Sequence, residues 1–322
     1  MSTGEASGMD AANTTRGRTV DGGSSPPTWV WETTGPEGAP ALLLLHGWMA
    51  TAALNWSVSF RFLGERFRVV APNLRGHGRA GTKSPPFSVE GCADDLAGLI
   101  GELGLQRPVV VGYSMGGAVA QVLARRHGAL LGGVALCATA ANFSRRVSLR
   151  PAVRVVGKLG ARAARTWPET AATFLRWRVQ RHDSLLAQRG RRHHAQPEAL
   201  QERLESDLAA FIEAGAELNG YDSSAWLTSL DVPAAVVVTA RDRVVEPWRQ
   251  RAMASLIPGA KSYEVDAGHD AVVARPELFL PVLVRACSGL LAGGLDEGLD
   301  GGTAGAPSDS VTRRAAASTS GP

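Results

Sequence analysis

Cysteine is scarce in this 322-residue chain: Cys92, Cys137 and Cys287 are all there is, and none stands in a C-x-x-C arrangement. So few and so scattered, they exclude a disulfide framework and fit a reducing cytoplasm. Long apolar runs are missing as well. No stretch approaches the roughly 18 uninterrupted apolar residues that a membrane span needs. Residues 1–27, rich in Gly, Ser, Thr and Ala, hold no apolar core of the kind a secretory signal requires. A soluble, cytoplasmic protein is expected. One stretch is poor in acid. Positions 143–194 carry 13 Arg/Lys against only Glu169 and Asp183, although the net charge of the whole chain is a modest +4.

With 44% hydrophobic and 20% charged residues, the chain can bury one large core, and its length does not require two. Both ends lack hydrophobic periodicity, so residues 1–27 and 293–322 are expected to be flexible tails. Between them, short apolar runs at 41–45, 68–71, 109–111, 133–137, 234–239 and 261–265 read as strands. Helical patterns fall at about 55–65, 88–103, 115–127 and 277–291. Continuous apolar strands alternating with helices predict an α/β fold with a doubly wound, mostly parallel sheet covered on both faces. The alternation stops between 141 and 230, which holds helix-like stretches and no convincing strand. That segment is expected to be a helical cap inserted after the sixth strand, with 28–140 and 231–292 forming the core.

The most informative local pattern is Gly112-Tyr113-Ser114-Met115-Gly116. An apolar strand precedes it and a helical stretch follows, so it reads as a sharp strand-to-helix turn that pushes the serine hydroxyl out where a base can reach it. Such a turn leaves no room for side chains two residues before and after the serine, which is where the glycines stand. The Gly-Lys-Ser/Thr ending of a phosphate-binding loop is absent. An activated serine needs a base, the base an orienting acid, and an oxyanion needs preorganised N–H donors. Each can be sought past a strand end, where doubly wound sheets gather their functional residues. Asp242 follows the strand at 234–239, and His269 lies in the loop after 261–265. Upstream, the strand at 42–45 runs into His46-Gly47-Trp48-Met49, so the backbone N–H groups of Trp48 and Met115 form the natural oxyanion pair.

These residues carry a resemblance. His46-Gly47-Trp48, the run Pro72-Asn73-Leu74-Arg75-Gly76-His77-Gly78, Gly112 to Gly117, Asp242 and Gly268-His269 together resemble the α/β-hydrolase fold family, in its branch of serine esterases related to arylesterases and cofactor-free haloperoxidases. The resemblance covers about 28–292. It implies Ser114 as nucleophile, His269 as general base and then acid, Asp242 as orienter, and the Trp48 and Met115 amides as oxyanion hole. Two positions depart from the pattern. Asn73 stands where many relatives have Asp, a structural position. Met49 stands where haloperoxidase-like members often have Pro, which argues against perhydrolysis as the main role. The opening antiparallel hairpin is expected to shrink to Trp29–Glu32 and one neighbour.

Other polar residues have plainer readings. His46 is expected to shape the oxyanion turn rather than move protons, and His77 to sit in a surface turn. His193-His194 has no partner spaced for a metal site. Asp94 and Asp95 should be solvated on a helix. Asp266, Asp270 and Glu246 rival Asp242 as the acid. The aromatics Phe143, Trp167, Phe174, Trp177, Phe211 and Trp226 should mostly pack the insertion onto the core, a subset lining an apolar pocket. Arg150, Arg154, Lys158 and Arg162 recur every four residues on one helical stripe. That stripe is either a solvated face or a contact with an anionic lipid surface or an acidic substrate group. Aromatic-basic interleaving typical of nucleic-acid modules is missing.

The expected function is therefore a metal-free, cofactor-free serine hydrolase cleaving carboxylic esters with apolar groups through an acyl-enzyme. The same triad can run a carbon–carbon bond hydrolase, a thioesterase or an acyltransferase, and a ligand-binding protein without turnover is the reading outside the enzyme class. Acyl chain length and oligomeric state are not encoded in these motifs.

Overall fold

A computed structural model describes residues 15–16, 31–78, 85–144, 149–188 and 197–296. Eight strands make one sheet: β1 (Thr15–Arg16), β2 (Trp31–Thr34), β3 (Ala41–Leu45), β4 (Arg68–Pro72), β5 (Val109–Tyr113), β6 (Gly133–Cys137), β7 (Ala234–Thr239) and β8 (Lys261–Val265). Their order is β1-β2-β4-β3-β5-β6-β7-β8. From β4 to β8 every pairing is parallel; β1–β2 and β2–β4 are antiparallel. The opening hairpin is thus shifted from its expected place: β2 begins at Trp31, and its outer neighbour, Thr15–Arg16, comes from within the segment read as a tail.

Why the central strands read as unbroken apolar runs is visible in β3. Leu43 and Leu45 point into one core with Val70, Val110, Leu96 and Val119, while Leu42 and Leu44 point into the other with Trp56, Val69, Phe279 and Leu283. Alternate side chains face opposite sides of a sheet, and here both sides are covered. On the first side lie α2 (Val89–Glu102) and α3 (Met115–His127); on the second lie α1 (Ala52–Gly64), the short α9 (Ala271–Ala274) and α10 (Pro276–Asp296). Local signals start the helices. Thr51 caps α1 by accepting the Leu54 N–H at 3.2 Å, and Ser88 caps α2 by accepting that of Gly91 at 3.0 Å. Residue 296 ends α10, four positions beyond the expected end of the core.

Between β6 and β7 the described residues form α4 (Arg150–Thr166), α5 (Pro168–Gln188), α6 (Pro197–Leu204) and α7 (Leu208–Gly220), with no strand among them. Asp207 caps α7 through the Ala209 N–H at 2.8 Å. That helix is the root of the segment, since Ala210, Ala214 and Leu218 join the core that α2 and α3 share. Against its other side lies α4, whose Gly157 permits the approach: a Cβ there would come within 2.6 Å of Ala216 Cβ. Among the described residues no helix is long and apolar enough to cross a membrane.

Candidate active site

The turn after β5 is as tight as its glycines suggested. A Cβ on Gly112 would sit 2.5 Å from the Gly116 carbonyl oxygen, and one on Gly116 equally close to that of Leu45. Ser114 takes φ 53° and ψ −113°, a strained backbone for a residue with a side chain. Such conformations cost of order 1–3 kcal/mol and persist only where the surroundings enforce them. Enforcement is plain: the Ser114 N–H donates to Cys137 O at 2.9 Å, and its carbonyl accepts from Gly117 N at 2.9 Å and Thr139 Oγ1 at 2.8 Å. The hydroxyl is left half-buried at the head of α3.

His269 reaches it. Nε2 of His269 stands 3.0 Å from Ser114 Oγ, and Nδ1 stands 2.7 Å from Asp242 Oδ2. Five donors converge on the Asp242 carboxylate. Oδ1 accepts from the backbone of Val244 and Val245 at 2.8 and 3.0 Å; Oδ2 accepts from Thr239 Oγ1 at 2.8 Å and Gln250 Nε2 at 3.2 Å, as well as from His269. Burial by itself would raise this carboxyl group, but the hydrogen bond and charge of His269, with the Val244 N–H and Thr239 hydroxyl, hold it below the usual carboxylate range. The acid is thus ionised at neutral pH, with the imidazole N–H fixed on the side facing it. The three rivals point elsewhere. Asp266 forms a two-pronged, exposed ion pair with Arg241, Glu246 pairs with Arg249 at 3.2 Å, and Asp270 is exposed.

The second wall of the site is the turn after β3. His46 is fully buried; its Nε2 accepts from Leu74 N at 3.0 Å while Nδ1 donates to Gly47 O at 2.9 Å. Burial lowers its pKa to about 4, so it is neutral. Because a trans peptide holds C=O and N–H in opposite directions, tying the Gly47 carbonyl to His46, and to the Ala50 N–H at 3.3 Å, aims the Trp48 N–H the other way. Asn55 Oδ1 holds Gly47 N at 3.1 Å, and a Cβ on Gly47 would lie 3.5 Å from Ser114 Cβ. Met115 opens α3, so its N–H is one of the four with no acceptor inside the helix. Met49 sits at φ 59°, a conformation closed to proline, which accounts for the departure at that position.

Several supports of the site come from residues without a sequence signature. Tyr113 O–H donates to the His269 carbonyl at 2.6 Å and so fixes the histidine loop from the elbow itself. Gln250, on α8 (Pro247–Leu256), takes the Thr239 N–H at 3.0 Å and braces Asp242. Trp48 turns its indole to the helical segment, donating Nε1–H to Phe211 O at 2.9 Å, with Gly215 giving it room. None of these has a spacing signal, since each is set by which distant element packs nearby.

Four expectations are corrected. His77 is buried, not in a surface turn: its ring lies 4.9 Å from that of His46 and 4.8 Å from that of Phe211, and its Nδ1 donates to Arg75 O at 2.8 Å. Burial, aided by His46, lowers its pKa to about 3. Asp95 is not solvated, because it holds Arg75 in a two-pronged ion pair with Nη2–Oδ1 at 2.7 Å. Only half of the insertion's six aromatics pack inward: Phe211 is buried and Phe143 and Trp226 lie against the core, but Trp167, Phe174 and Trp177 are exposed. Nor is the basic stripe simply solvated. Arg150 leans on Asp222 at 3.4 Å, and the charges of Arg154 and Lys158 bear on Glu217 across the α4–α7 seam. His193-His194 lies outside the described residues.

The profile described as "Alpha/beta hydrolase family" matches residues 42–282, three quarters of the chain. The chain belongs to this family. A pimeloyl-[acyl-carrier protein] methyl ester esterase of Chromobacterium violaceum is 30% identical over 254 residues, 76% of this chain and 93% of its own. An uncharacterized protein of Mycobacterium tuberculosis is 36% identical over 85 residues, 26% of this chain, and the chain spans only 25% of that protein's length. Among solved structures, a thermophilic esterase from Thermogutta terrifontis superposes with a TM-score of 0.61 at 28% identity, covering 87% of this chain and 99% of its own.

Proposed function

We propose that this alpha/beta hydrolase cleaves carboxylic esters bearing apolar groups through an acyl-enzyme formed on Ser114. The observation that carries the reading is the unbroken chain from Asp242 through His269 to Ser114, ending on a serine held at a strained elbow. Ser114 Oγ attacks the ester carbonyl as His269 Nε2 takes its proton; Asp242 steadies the imidazolium that results. The tetrahedral oxyanion lies against the Trp48 and Met115 amides. His269 then hands its proton to the leaving alcohol, and in the second half draws a proton from water to free the acid. Two relatives reported above are esterases, which supports ester chemistry over carbon–carbon or thioester cleavage.

The half-exposed Trp48 indole stands beside the oxyanion amide, and the half-buried Met49 packs against buried Phe211 nearby, which favours an apolar acyl or alcohol group. In this reading the segment 141–230 is a cap rooted by α7. Three buried, unbridged thiols fit a reducing cytoplasm. A panel of p-nitrophenyl esters and acyl-CoA thioesters of increasing chain length, run beside Ser114→Ala, tests the proposal. Saturable ester turnover absent in the variant is expected. Turnover that persists in the variant, or confined to thioesters, overturns it.

A further inference from the structure

Thirteen large apolar side chains stand exposed among the described residues, and seven of them fall between positions 149 and 177. Scattered exposed leucines need no explanation, but a cluster of this kind marks an interaction surface. Its geometry follows from the helix pitch. The side of α4 that meets α7 is built from small residues, Gly157 and Ala161. At 100° per residue, Leu149, Val156 and Leu159 lie on a flank that α7 leaves open, and Val155 adjoins it. Val156 is 68% exposed and Leu159 63%. Trp167, 62% exposed, joins α4 to α5. On α5, Phe174 and Trp177 place their rings 5.9 Å apart, and the Arg181 guanidinium lies 5.6 Å from the Trp177 ring.

Charge gives the face its partner. Residues 149–181 hold eight Arg/Lys and one acid, Glu169. Arg150 and Arg165 turn to Asp222 and Glu213, but Arg162, Arg176, Arg178 and Arg181 remain on the exposed surface. We propose that the outer face of α4 and α5 docks on an anionic lipid surface, its aliphatic and indole groups entering the headgroup boundary and its arginines meeting the lipid phosphates. Exposed aliphatics, tryptophans at one edge and a basic flank are the composition of helices that lie in that boundary. A second copy meeting the same face across a two-fold axis would set these arginines against their own kind. An acidic protein would answer the charge but leave so wide an apolar face without its natural solvent. The proposal does not rest on the ester reading, because its readout is binding.

The full chain is floated with vesicles of phosphatidylcholine, or of three parts phosphatidylcholine to one part phosphatidylglycerol. Flotation with the anionic vesicles alone is expected, fading as salt rises because exposed charges are screened over about 10 Å at 0.1 M. Arg162→Gln, Arg176→Gln and Arg178→Gln combined should weaken partition on the order of a hundred-fold. Val156→Ser, Phe174→Ser and Trp177→Ser combined should weaken it at least ten-fold, while both variants keep the thermal unfolding midpoint of the wild type. Equal flotation with both compositions, or wild-type flotation of either variant, overturns the proposal. So does flotation with neither, whether the face is then found covering a second copy or an acidic protein.

Discussion

The sheet and the helical segment between β6 and β7 keep their apolar residues in opposite places. Every residue of β3, β5, β6 and β7 is buried, whereas seventeen-residue α4 buries only Gly157 and Ala161. The first region is held by packing, so truncating Leu43 or Val110 should cost a few kcal/mol through the cavity left behind. The second is rooted by Ala210, Ala214 and Leu218 of α7 in the core and tied there by single polar contacts: Asn73 to Glu202 at 2.5 Å, Gly78 N to Ser206 Oγ at 2.8 Å, Asp207 N to Gly76 O at 2.9 Å, Phe87 N to Glu213 at 2.8 Å, and Trp48 to Phe211. The Ser114, His269 and Asp242 side chains proposed for catalysis therefore stand at ends of the packed strands. The helical segment reaches the site through Trp48, whose indole donates to Phe211 O.

The largest effects should come from the sheet side. Ser114→Ala and His269→Ala are expected to lower kcat on the order of 10⁶, and Asp242→Asn on the order of 10⁴, with thermal unfolding near that of the wild type. Asp266→Asn and Asp270→Asn should change kcat less than ten-fold, since one carboxylate is spent on Arg241 and the other is exposed. Steady-state kinetics on one activated ester decides this, and a larger loss from either of those two than from Asp242→Asn would move the acid.

Those same residues were the legible part of the sequence, for a physical reason. The elbow is a local steric problem that glycines at fixed offsets solve, and buried parallel strands leave unbroken apolar runs. The partners proposed for Ser114 then follow from strand ends, and the geometry brings them within hydrogen-bond distance. What stayed hidden depends on contacts between distant elements. His77 reads as a surface turn until Phe87 and Phe211 close over it, and Asp95 reads as solvated until Arg75 folds down from the loop after β4. The spacing of Arg150, Arg154 and Lys158 was visible, but not Glu217 of α7 and Asp222 just beyond it.

Trp48 is where the two regions meet, since its N–H faces the site and its indole hangs from α7. Gly215→Val should push the indole away, because a Cβ there already falls 2.8 Å from Trp48 Cζ2. Displacing an oxyanion donor by about 1 Å costs on the order of 10² in kcat, with KM for a small ester changing little. Circular dichroism should be unchanged. If KM rises while kcat holds, Trp48 acts only as a pocket wall.

The buried histidines should make the join between regions acid-labile. Unfolding returns His46 and His77 to pKa values near 6.5 from about 4 and about 3, so between these limits the unfolded chain binds more protons. Stability is then fully present above about pH 6.5 and falls as pH drops toward 4, by about 1.4 kcal/mol per unit for each group. His77→Phe should remove roughly half of that slope in urea titrations. An unchanged slope would mean that His77 already takes up its proton in the folded state.

The smallest effect is the most specific to this chain. Asn73 accepts the Ala52 N–H through Oδ1 at 2.7 Å and donates through Nδ2 to Glu202, so its amide needs both ends. The aspartate usual in the family could keep the first bond, but would set a buried carboxylate against that of the partly buried Glu202. Asn73→Asp should therefore cost about 1–3 kcal/mol at pH 7, seen as a Tm lower by roughly 5 °C. The loss should shrink as pH falls and one of the two acids takes a proton. Adding Glu202→Gln should restore stability, because the glutamine amide can donate where Asn73 did. If Asn73→Asp is as stable as the wild type at neutral pH, or if Glu202→Gln fails to rescue it, then Asn73 is not the clasp between the two regions and the packing of Ala210 and Ala214 against the core holds α7 alone.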